Sequence, residues 1–319
     1  MHLPTREIRI EPSTLCNYNC RMCARGALSR KRQAMPDSLF DRLVDQVRSE
    51  LPHIDYCTLS GFGEPATDPG WSHKLRLAAS RFSHVHVVTN LSLIQGAGLD
   101  ELAACATDIR VSLGATTEEV YHRVHRPPKG VHLAAVEDRI RALASRPGRR
   151  YNLRLTCCRL QENEAELPIW IERWSGVADE LEVWEPHNWA TARSFRDVSR
   201  DREPTCGRPA SGPIQVQVDG TVNVCCFDYD GVLLIGDLRV QSFGEIFGGD
   251  AMQRIRALHA TGRADELWPC SRCDQRERQE TRRRHLLYCN WQPAEQRVVR
   301  TSSGGEPLLG PAGRGPEGR

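Results

Sequence analysis

The chain lacks several features that define other classes of protein. No stretch of its 319 residues approaches the ~18 consecutive apolar residues of a membrane-spanning helix. Residues 1–6 lack the apolar core of a secretory signal peptide. Positive and negative side chains nearly cancel, and a net charge of +2 gives no reason to expect a nucleic-acid or membrane-surface partner. We therefore expect a cytoplasmic protein that works without a membrane or nucleic acid.

Cysteine, in contrast, is abundant. The chain has 13 cysteines, an odd number, so at least one thiol must stay outside any pairing. In a chain without an export signal this content indicates metal or redox chemistry in a reducing compartment, not a disulfide framework. At 319 residues the length predicts about two domains.

Three of these thiols, Cys16, Cys20 and Cys23, form a C-x3-C-x2-C array directly after a predicted strand at 7–11. Three soft ligands so close together favour a soft metal centre. A tetrahedral zinc site would need a fourth ligand, usually from a second C-x2-C or an H-x3-5-H pair. Neither pattern follows within the next thirty residues. The array therefore favours a [4Fe–4S] cluster with one iron left open.

Short apolar runs alternate with amphipathic ones up to about residue 185. The alternation predicts strands at 7–11, 56–60, 84–89, 109–113, 151–157 and 180–185. Helical spacing predicts helices at 37–50, 70–82, 99–106, 132–145 and 164–175. Six predicted strands that alternate with five predicted helices indicate an α/β fold with a parallel sheet. Chemistry in barrels of this kind lies on loops at the carboxyl ends of the strands, where the cysteine array is placed.

The cysteine array resembles the signature of the radical S-adenosylmethionine (SAM) enzymes. The resemblance implies a partial (β/α)6 barrel whose open iron binds SAM, with Met22 against the adenine. Ser60-Gly61-Phe62-Gly63-Glu64-Pro65, after the second strand, resembles the family's G-x-G-E-P motif, although Phe62 replaces a usual glycine. By that resemblance Gly61, Gly63 and Glu64 hold the amino group of SAM.

Three further cofactor contacts are expected from the same resemblance. Ser112, at the end of the fourth strand, corresponds to a ribose-contacting serine. Arg126, with Arg123 as the second choice, corresponds to an arginine for the SAM carboxylate, because a guanidinium suits a carboxylate fork. Asn90 either touches SAM or merely ends the third strand.

A second group of cysteines lies in the C-terminal third. Cys206, Cys225, Cys270 and Cys273 flank a predicted Asp-Gly hairpin at 214–225 and a helical segment. Four thiols suit a structural zinc ion. Behind a radical SAM domain, their spacing instead resembles the Twitch form of the SPASM/Twitch auxiliary-cluster domain, which implies a second [4Fe–4S] cluster. We therefore expect a radical SAM partial barrel at 1–195, a Twitch/SPASM-like domain of hairpin plus helix at 196–291 and a disordered tail at 292–319.

The remaining thiols allow more than one interpretation. Cys57, Cys105, Cys157 and Cys158 are expected to be apolar fillers. Cys226 is either a filler or a catalytic thiol that donates a hydrogen atom to a substrate radical, because it should point away from Cys225 across the strand. Cys289 carries the same two alternatives.

Family resemblance implies a 5′-deoxyadenosyl radical, made from SAM with an electron from a partner such as flavodoxin or ferredoxin. A first strand near residue 7 leaves no room for a leader-binding module, which favours a small carbohydrate-like substrate. The first hypothesis is an oxidoreductase (dehydrogenase) of secondary metabolism, such as antibiotic biosynthesis, similar to the butirosin-pathway 2-deoxy-scyllo-inosamine dehydrogenase. An epimerase with Cys226 as donor, similar to the neomycin-pathway enzyme, is second, and a peptide (RiPP) maturase is third. A non-enzymatic zinc-stabilised binding protein is the alternative from another class.

Overall fold

The computed structural model describes residues 4–198, 201–278, 286–291 and 298–299. Eleven strands form one sheet in these ranges. The strands are β1 Glu7–Ile10, β2 Tyr56–Leu59, β3 His84–Thr89, β4 Asp108–Ser112, β5 Asn152–Cys158, β6 Glu180–Trp184, β7 Ile214–Val216, β8 Thr221–Asn223, β9 Leu234–Asp237, β10 Leu286–Trp291 and β11 Val298–Val299. All six strands predicted up to residue 185 are present within one residue at each end.

The sheet is mostly parallel, with strand order β11-β10-β6-β5-β4-β3-β2-β1-β7-β8-β9. Strands β1 to β6 pair in parallel in chain order, as expected of consecutive β-α units. β7 continues the parallel sheet beside β1 and then turns into the antiparallel strands β8 and β9. The C-terminal region therefore extends the barrel sheet directly, and its hairpin lies beside the strand that leads into the cysteine array.

Nine helices accompany the strands in the described residues: α1 Asp37–Glu50, α2 Trp71–Arg81, α3 Ala97–Cys105, α4 Glu118–Val124, α5 Leu133–Ala144, α6 Leu167–Trp174, α7 Arg208–Ser211, α8 Phe243–Gly248 and α9 Asp250–Ala260. The prediction of 37–50 agrees with α1 at both ends. The single helical segment predicted near 243–255 is two helices, since the chain is extended at Gly249. Nowhere in the part of the chain described here is a helix long and apolar enough to cross a bilayer.

The two faces of the parallel sheet differ in chemistry. On β1, Ile8 and Ile10 are fully buried in the hydrophobic core with α1, whereas Glu7 and Arg9 point the other way and are half-buried. The same alternation continues across the neighbouring strands. We call this second side the polar sheet face; its charged and polar members include Glu7, Arg9, Thr58, His84, His86, Asp108, Arg110, Ser112, Asn152, Arg154, Thr156, Glu180 and Glu182. A parallel sheet usually buries apolar residues on both faces, so this polarity indicates a binding surface.

The C-terminal strands attach to both edges of the barrel sheet. β10 pairs antiparallel with β6, with Cys289 opposite Glu182, so residues assigned to the second domain complete the sheet of the first. The prediction of a disordered tail at 292–319 lies outside the described residues except for Val298–Val299, which form a short strand against β10. Before β10 in the chain, Arg276 is buried and paired with Asp265 at 2.9 Å.

Candidate active site

The structure brings the first three cysteines together on the loop after β1. Burial raises the pKa of the Cys20 thiol, and the neighbouring Cys23 and Cys16 raise it further. Burial also raises the pKa of Cys16 to about 11, with a smaller contribution from Cys23. Each thiol is therefore close enough to repel the charge on another. Thiols grouped in this way resist ionisation. Positive charge from bound iron would offset the free-energy cost of forming the thiolates.

The backbone around these thiols suits metal-bound thiolates. The Tyr18 N–H donates to Cys16 Sγ at 3.4 Å, and the Arg25 N–H donates to Cys23 Sγ at 3.4 Å. Within the described ranges, no group of three or more His, Cys, Asp or Glu side chains is arranged to hold a single metal ion. In a [4Fe–4S] cube each cysteine binds a different iron, so its ligands lie farther apart. The donor set and its N–H···S bonds therefore fit an iron–sulfur cluster.

The Gly61–Pro65 motif packs directly against the cysteine loop. A Cβ on Gly63 would lie 2.1 Å from the Ser13 carbonyl oxygen, and one on Gly61 would overlap the Glu11 side chain. The Glu64 N–H donates to the Leu15 carbonyl at 2.7 Å. Both glycines are thus required for the approach of the two loops.

Replacing Gly63 with alanine is expected to displace the loop that precedes Cys16 and to lower the free energy of unfolding by about 1–3 kcal/mol, because neither backbone can move independently. Denaturant unfolding of the iron-loaded protein measures the loss. Gly98→Ala is the matched control. A Cβ on this α3 glycine would lie 3.8 Å from its nearest neighbour, the Ile94 side chain. Alanine there should be neutral or slightly stabilising. Equal changes in the free energy of unfolding at both positions would show that the structure relieves the clash at Gly63 without a cost.

The Glu64 side chain, an expected contact of SAM, is held in place by residues at the end of β3. Its side chain is buried, with one oxygen accepting from the Thr89 hydroxyl at 2.5 Å and the other from the Asn90 N–H at 2.7 Å. Burial raises the pKa of Glu64 to about 7. Asn90 in turn donates to the Asn17 side chain at 3.0 Å. Glu64 and Asn90 therefore fix the end of β3 to the cysteine loop.

The other expected cofactor contacts lie around the same loop. Met22 is half-buried, and its carbonyl accepts from Trp189 Nε1 at 2.8 Å. Ser112 ends β4 on the same side as the polar sheet face. Arg126 is exposed, has φ = +49°, and accepts the Asn19 N–H at its carbonyl. It lines an open cleft of about 1050 Å³ together with Cys20 and Arg193.

The second set of cysteines also converges, although its members come from distant parts of the chain. Burial raises the pKa of Cys270 to about 12, with Cys206 adding to it, and burial raises that of Cys273 to about 12, with Cys270 and Cys206 contributing. A hydrogen bond with Cys226 and burial raise the pKa of Cys225, and Cys273 adds to the shift. Cys225 and Cys273 each accept an N–H, from Phe227 and Gln275 at 3.4 Å. The four thiols thus form one donor set of the kind that a [4Fe–4S] cluster needs.

The prediction that Cys226 points away from Cys225 across the strand is wrong, because β8 ends at Asn223 and the two thiols share a hydrogen bond. The pKa of Cys226 is lowered to about 6, first by a hydrogen bond from Cys225 and then by the guanidinium groups of Arg208 and Arg9. Arg9 belongs to the polar sheet face, and Arg208 stacks on Phe227 with its guanidinium carbon 5.0 Å from the ring centroid. Cys226 therefore lies between the second set of cysteines and the polar sheet face.

The polar sheet face is a connected network of ion pairs. Arg154 contacts Glu180 at 2.7 Å, Glu182 at 3.2 Å and Asp108 at 3.4 Å. Arg110 lies 3.5 Å from Glu182, and burial lowers the pKa of His86 at the centre of the network. These residues belong to none of the motifs found in the sequence. The period-2 alternation of charged residues in β4 and β6 is the signal that could have identified them.

Aromatic side chains connect the two cysteine sites. Trp189, whose indole donates to the Met22 carbonyl, packs edge-on against Phe62 with ring centroids 5.3 Å apart. It also contacts Phe227, the residue after Cys226, at 5.5 Å. Trp189 has φ = +49°, a backbone conformation unusual for a bulky residue. Position alone, and no pattern in the sequence, identifies this residue as a bridge between the loops.

Comparison with known proteins agrees with both sites. The family model of the radical SAM superfamily matches residues 10–167, and that of the SPASM iron–sulfur cluster-binding domain matches residues 206–274. The chain superposes on the crystal structure of BtrN in complex with AdoMet and 2-DOIA with a TM-score of 0.59 at 16% identity, over 86% of this chain and 94% of BtrN. No curated protein sequence matches the chain.

Two other solved structures share the fold. Histidine-tagged anSMEcpe with bound AdoMet gives a TM-score of 0.62 at 14% identity, covering 85% of this chain and 88% of that protein. Streptococcus suis SuiB bound to the precursor peptide SuiA gives 0.61 at 13% identity, covering 86% of this chain and 70% of SuiB. The partial-barrel fold expected from the sequence is thereby confirmed.

Proposed function

Because the chain belongs to the radical SAM superfamily and carries a SPASM domain, we propose that it is a dehydrogenase that oxidises a carbinol of an amino sugar or aminocyclitol to a ketone. The observation that carries this proposal is the convergence of Cys206, Cys225, Cys270 and Cys273. Four protein ligands leave a second cluster with no iron open to substrate. Such a centre is suited to accepting an electron.

The cofactors of the chain are SAM and [4Fe–4S] clusters. Cys16, Cys20 and Cys23 would hold the first cluster, and the four C-terminal cysteines would hold the second. When bound, these groups supply a 5′-deoxyadenosyl radical that takes a hydrogen atom and an acceptor for one electron. The protein's own residues bind these groups and hold them in position. The proposed contacts to SAM remain Met22, Gly61, Gly63, Glu64, Asn90, Ser112 and Arg126.

The polar sheet face supports a small hydroxylated amine as the substrate. Carboxylates of Glu7, Glu180 and Glu182 can bind ammonium and hydroxyl groups, and Arg110 and Arg154 can bind hydroxyl oxygens. BtrN, a radical SAM dehydrogenase whose structure contains 2-DOIA, is spanned over 94% of its length by this chain. Ordered ion pairs on the face keep these groups oriented before binding, which lowers the entropy lost on association.

The test is anaerobic incubation of the iron-loaded protein with SAM, a reductant and a panel of aminocyclitols and amino sugars. Radical SAM enzymes use a reductant, and flavodoxin or ferredoxin is the proposed natural donor. A dehydrogenase should form 5′-deoxyadenosine and ketone in equal amounts. Atoms balance because the hydroxyl loses a proton, the carbon loses a hydrogen atom to the deoxyadenosyl group, and one electron leaves. Deoxyadenosine without any ketone from the panel would contradict the proposal.

An epimerase is the alternative that one observation favours, namely the place of Cys226 beside Arg9 of the polar sheet face. Its thiol would return a hydrogen atom to the opposite face of the substrate carbon, and the resulting thiyl would regain an electron and a proton from the reductant and solvent. The epimerase would place one solvent deuterium in a redox-neutral product in D2O. Cys226→Ala should abolish that incorporation, and incorporation at the normal rate would rule out this thiol as donor.

A further inference from the structure

His125 is a buried histidine that neither the cysteine motif nor the proposed reaction uses. It follows α4 and is 2% exposed. Its two ring nitrogens contact two different loops. The Gly114 N–H lies 2.8 Å from Nε2, and Cys20 Sγ lies 3.6 Å from Nδ1. One ring therefore connects the end of β4 to the middle cysteine of the first array.

The backbone contact determines which nitrogen carries the proton. A backbone N–H can only donate, so Nε2 must present its lone pair to Gly114. The ring proton then resides on Nδ1, where it points at Cys20 Sγ. The rings of Tyr18 and Tyr121 pack around the imidazole, with centroids 6.2 Å and 5.4 Å away. Packing and the Gly114 bond together fix the orientation of the donor.

We propose that His125 donates its Nδ1–H to the Cys20 sulfur when that thiolate binds iron, and that this bond raises the reduction potential of the SAM-binding cluster. Reduction adds negative charge, part of which resides on the cysteine sulfurs. A hydrogen bond to sulfur stabilises that charge, and the low local dielectric strengthens the bond. His125 is thus a positioning residue that acts through Cys20 and does not touch the reacting atoms.

Two substitutions separate the two halves of the imidazole. In His125→Asn the side-chain amide nitrogen occupies nearly the place of Nδ1, so the donor to Cys20 is kept and the acceptor for Gly114 is lost. In His125→Gln the amide oxygen lies near the place of Nε2, so the acceptor is kept and the donor is lost. His122→Asn is the control, since His122 lies on the same helix, exposed and bonded to Glu118 at 3.1 Å.

The measurement is an EPR-monitored redox titration of iron-loaded protein, following the cluster signal that changes when SAM is added. We expect a more negative midpoint potential in His125→Gln and an unchanged potential in His125→Asn and His122→Asn. The second cluster should keep its potential in every variant. Loss of the first cluster in the Gln variant alone would also support the donor, because that variant lacks the Nδ1–H while it keeps the acceptor for Gly114.

Equal potentials in wild type and His125→Gln would overturn the proposal. An equal shift of the midpoint potential in the Gln and Asn variants, or loss of the first cluster in both, would also overturn it. Either result would mean that the imidazole contributes only packing. None of these measurements needs the substrate, so they stay independent of whether the dehydrogenase proposal holds.

Discussion

Replacing Cys16, Cys20 and Cys23 together with alanine is expected to yield a folded protein that holds about four irons in place of about eight and forms no 5′-deoxyadenosine. The three thiols lie on a loop whose position depends on backbone contacts, such as that of Leu15 with Glu64, which alanine preserves. The second set of cysteines is held by other elements and should keep its cluster. Iron and sulfide analysis, EPR and product chromatography measure these three outcomes.

Cys105→Ala is the matched control for that experiment. Cys105 ends α3, is half-buried and belongs to neither set of cysteines. The Cys105→Ala variant should retain about eight irons and full SAM cleavage. Deoxyadenosine formation by the triple variant would show that the first array is not the SAM site. Colourless wild-type protein that contains stoichiometric zinc would contradict the assignment of both cysteine sets to iron–sulfur clusters.

Local periodicity explains why the repeated β-α units could be predicted. The buried positions of α1, from Leu39 to Val47, recur at helical spacing, and the buried residues of β3 alternate. α4 was missed because it is short and follows a glycine-containing strand end. A signal was present nonetheless, since Thr117 caps its first turn by accepting the Val120 N–H, ahead of Glu118 and Glu119. The pairing of β10 with β6 joins residues about a hundred apart, beyond the reach of any local pattern.

The candidate active site shows the same difference between features with a local pattern and features that depend on long-range contacts. Cysteine spacing predicted both donor sets, because soft ligands at short intervals have few other uses. The side-chain role of Glu64 could not be inferred, since its partners Thr89 and Asn90 come from another strand. His125 has no ligand spacing in the sequence, and only the fold brings it to Cys20. Residues that act through a partner distant in sequence carry no motif of their own.

Glu11 is the clearest case of such a residue. It follows β1, is buried, and its two carboxylate oxygens serve three parts of the molecule. They accept from Arg30 Nη1 at 2.8 Å, from the Phe62 N–H at 2.9 Å and from the Val218 N–H at 3.2 Å. One side chain thus joins the cysteine loop, the Gly61–Pro65 motif and the C-terminal hairpin.

Glu11→Ala is therefore expected to lower the free energy of unfolding by about 3–5 kcal/mol, because it leaves the largely buried Arg30 guanidinium without its carboxylate partner. Two backbone N–H groups would also lose their acceptor. Anaerobic denaturant unfolding of the iron-loaded protein measures the loss, and Glu119→Ala, which breaks an exposed pair with Arg123, should cost only about 0–1 kcal/mol. If Glu11→Ala cost no more than that control, the three segments would be held together without the carboxylate, and their convergence at the cysteine loop would have to come from apolar packing alone.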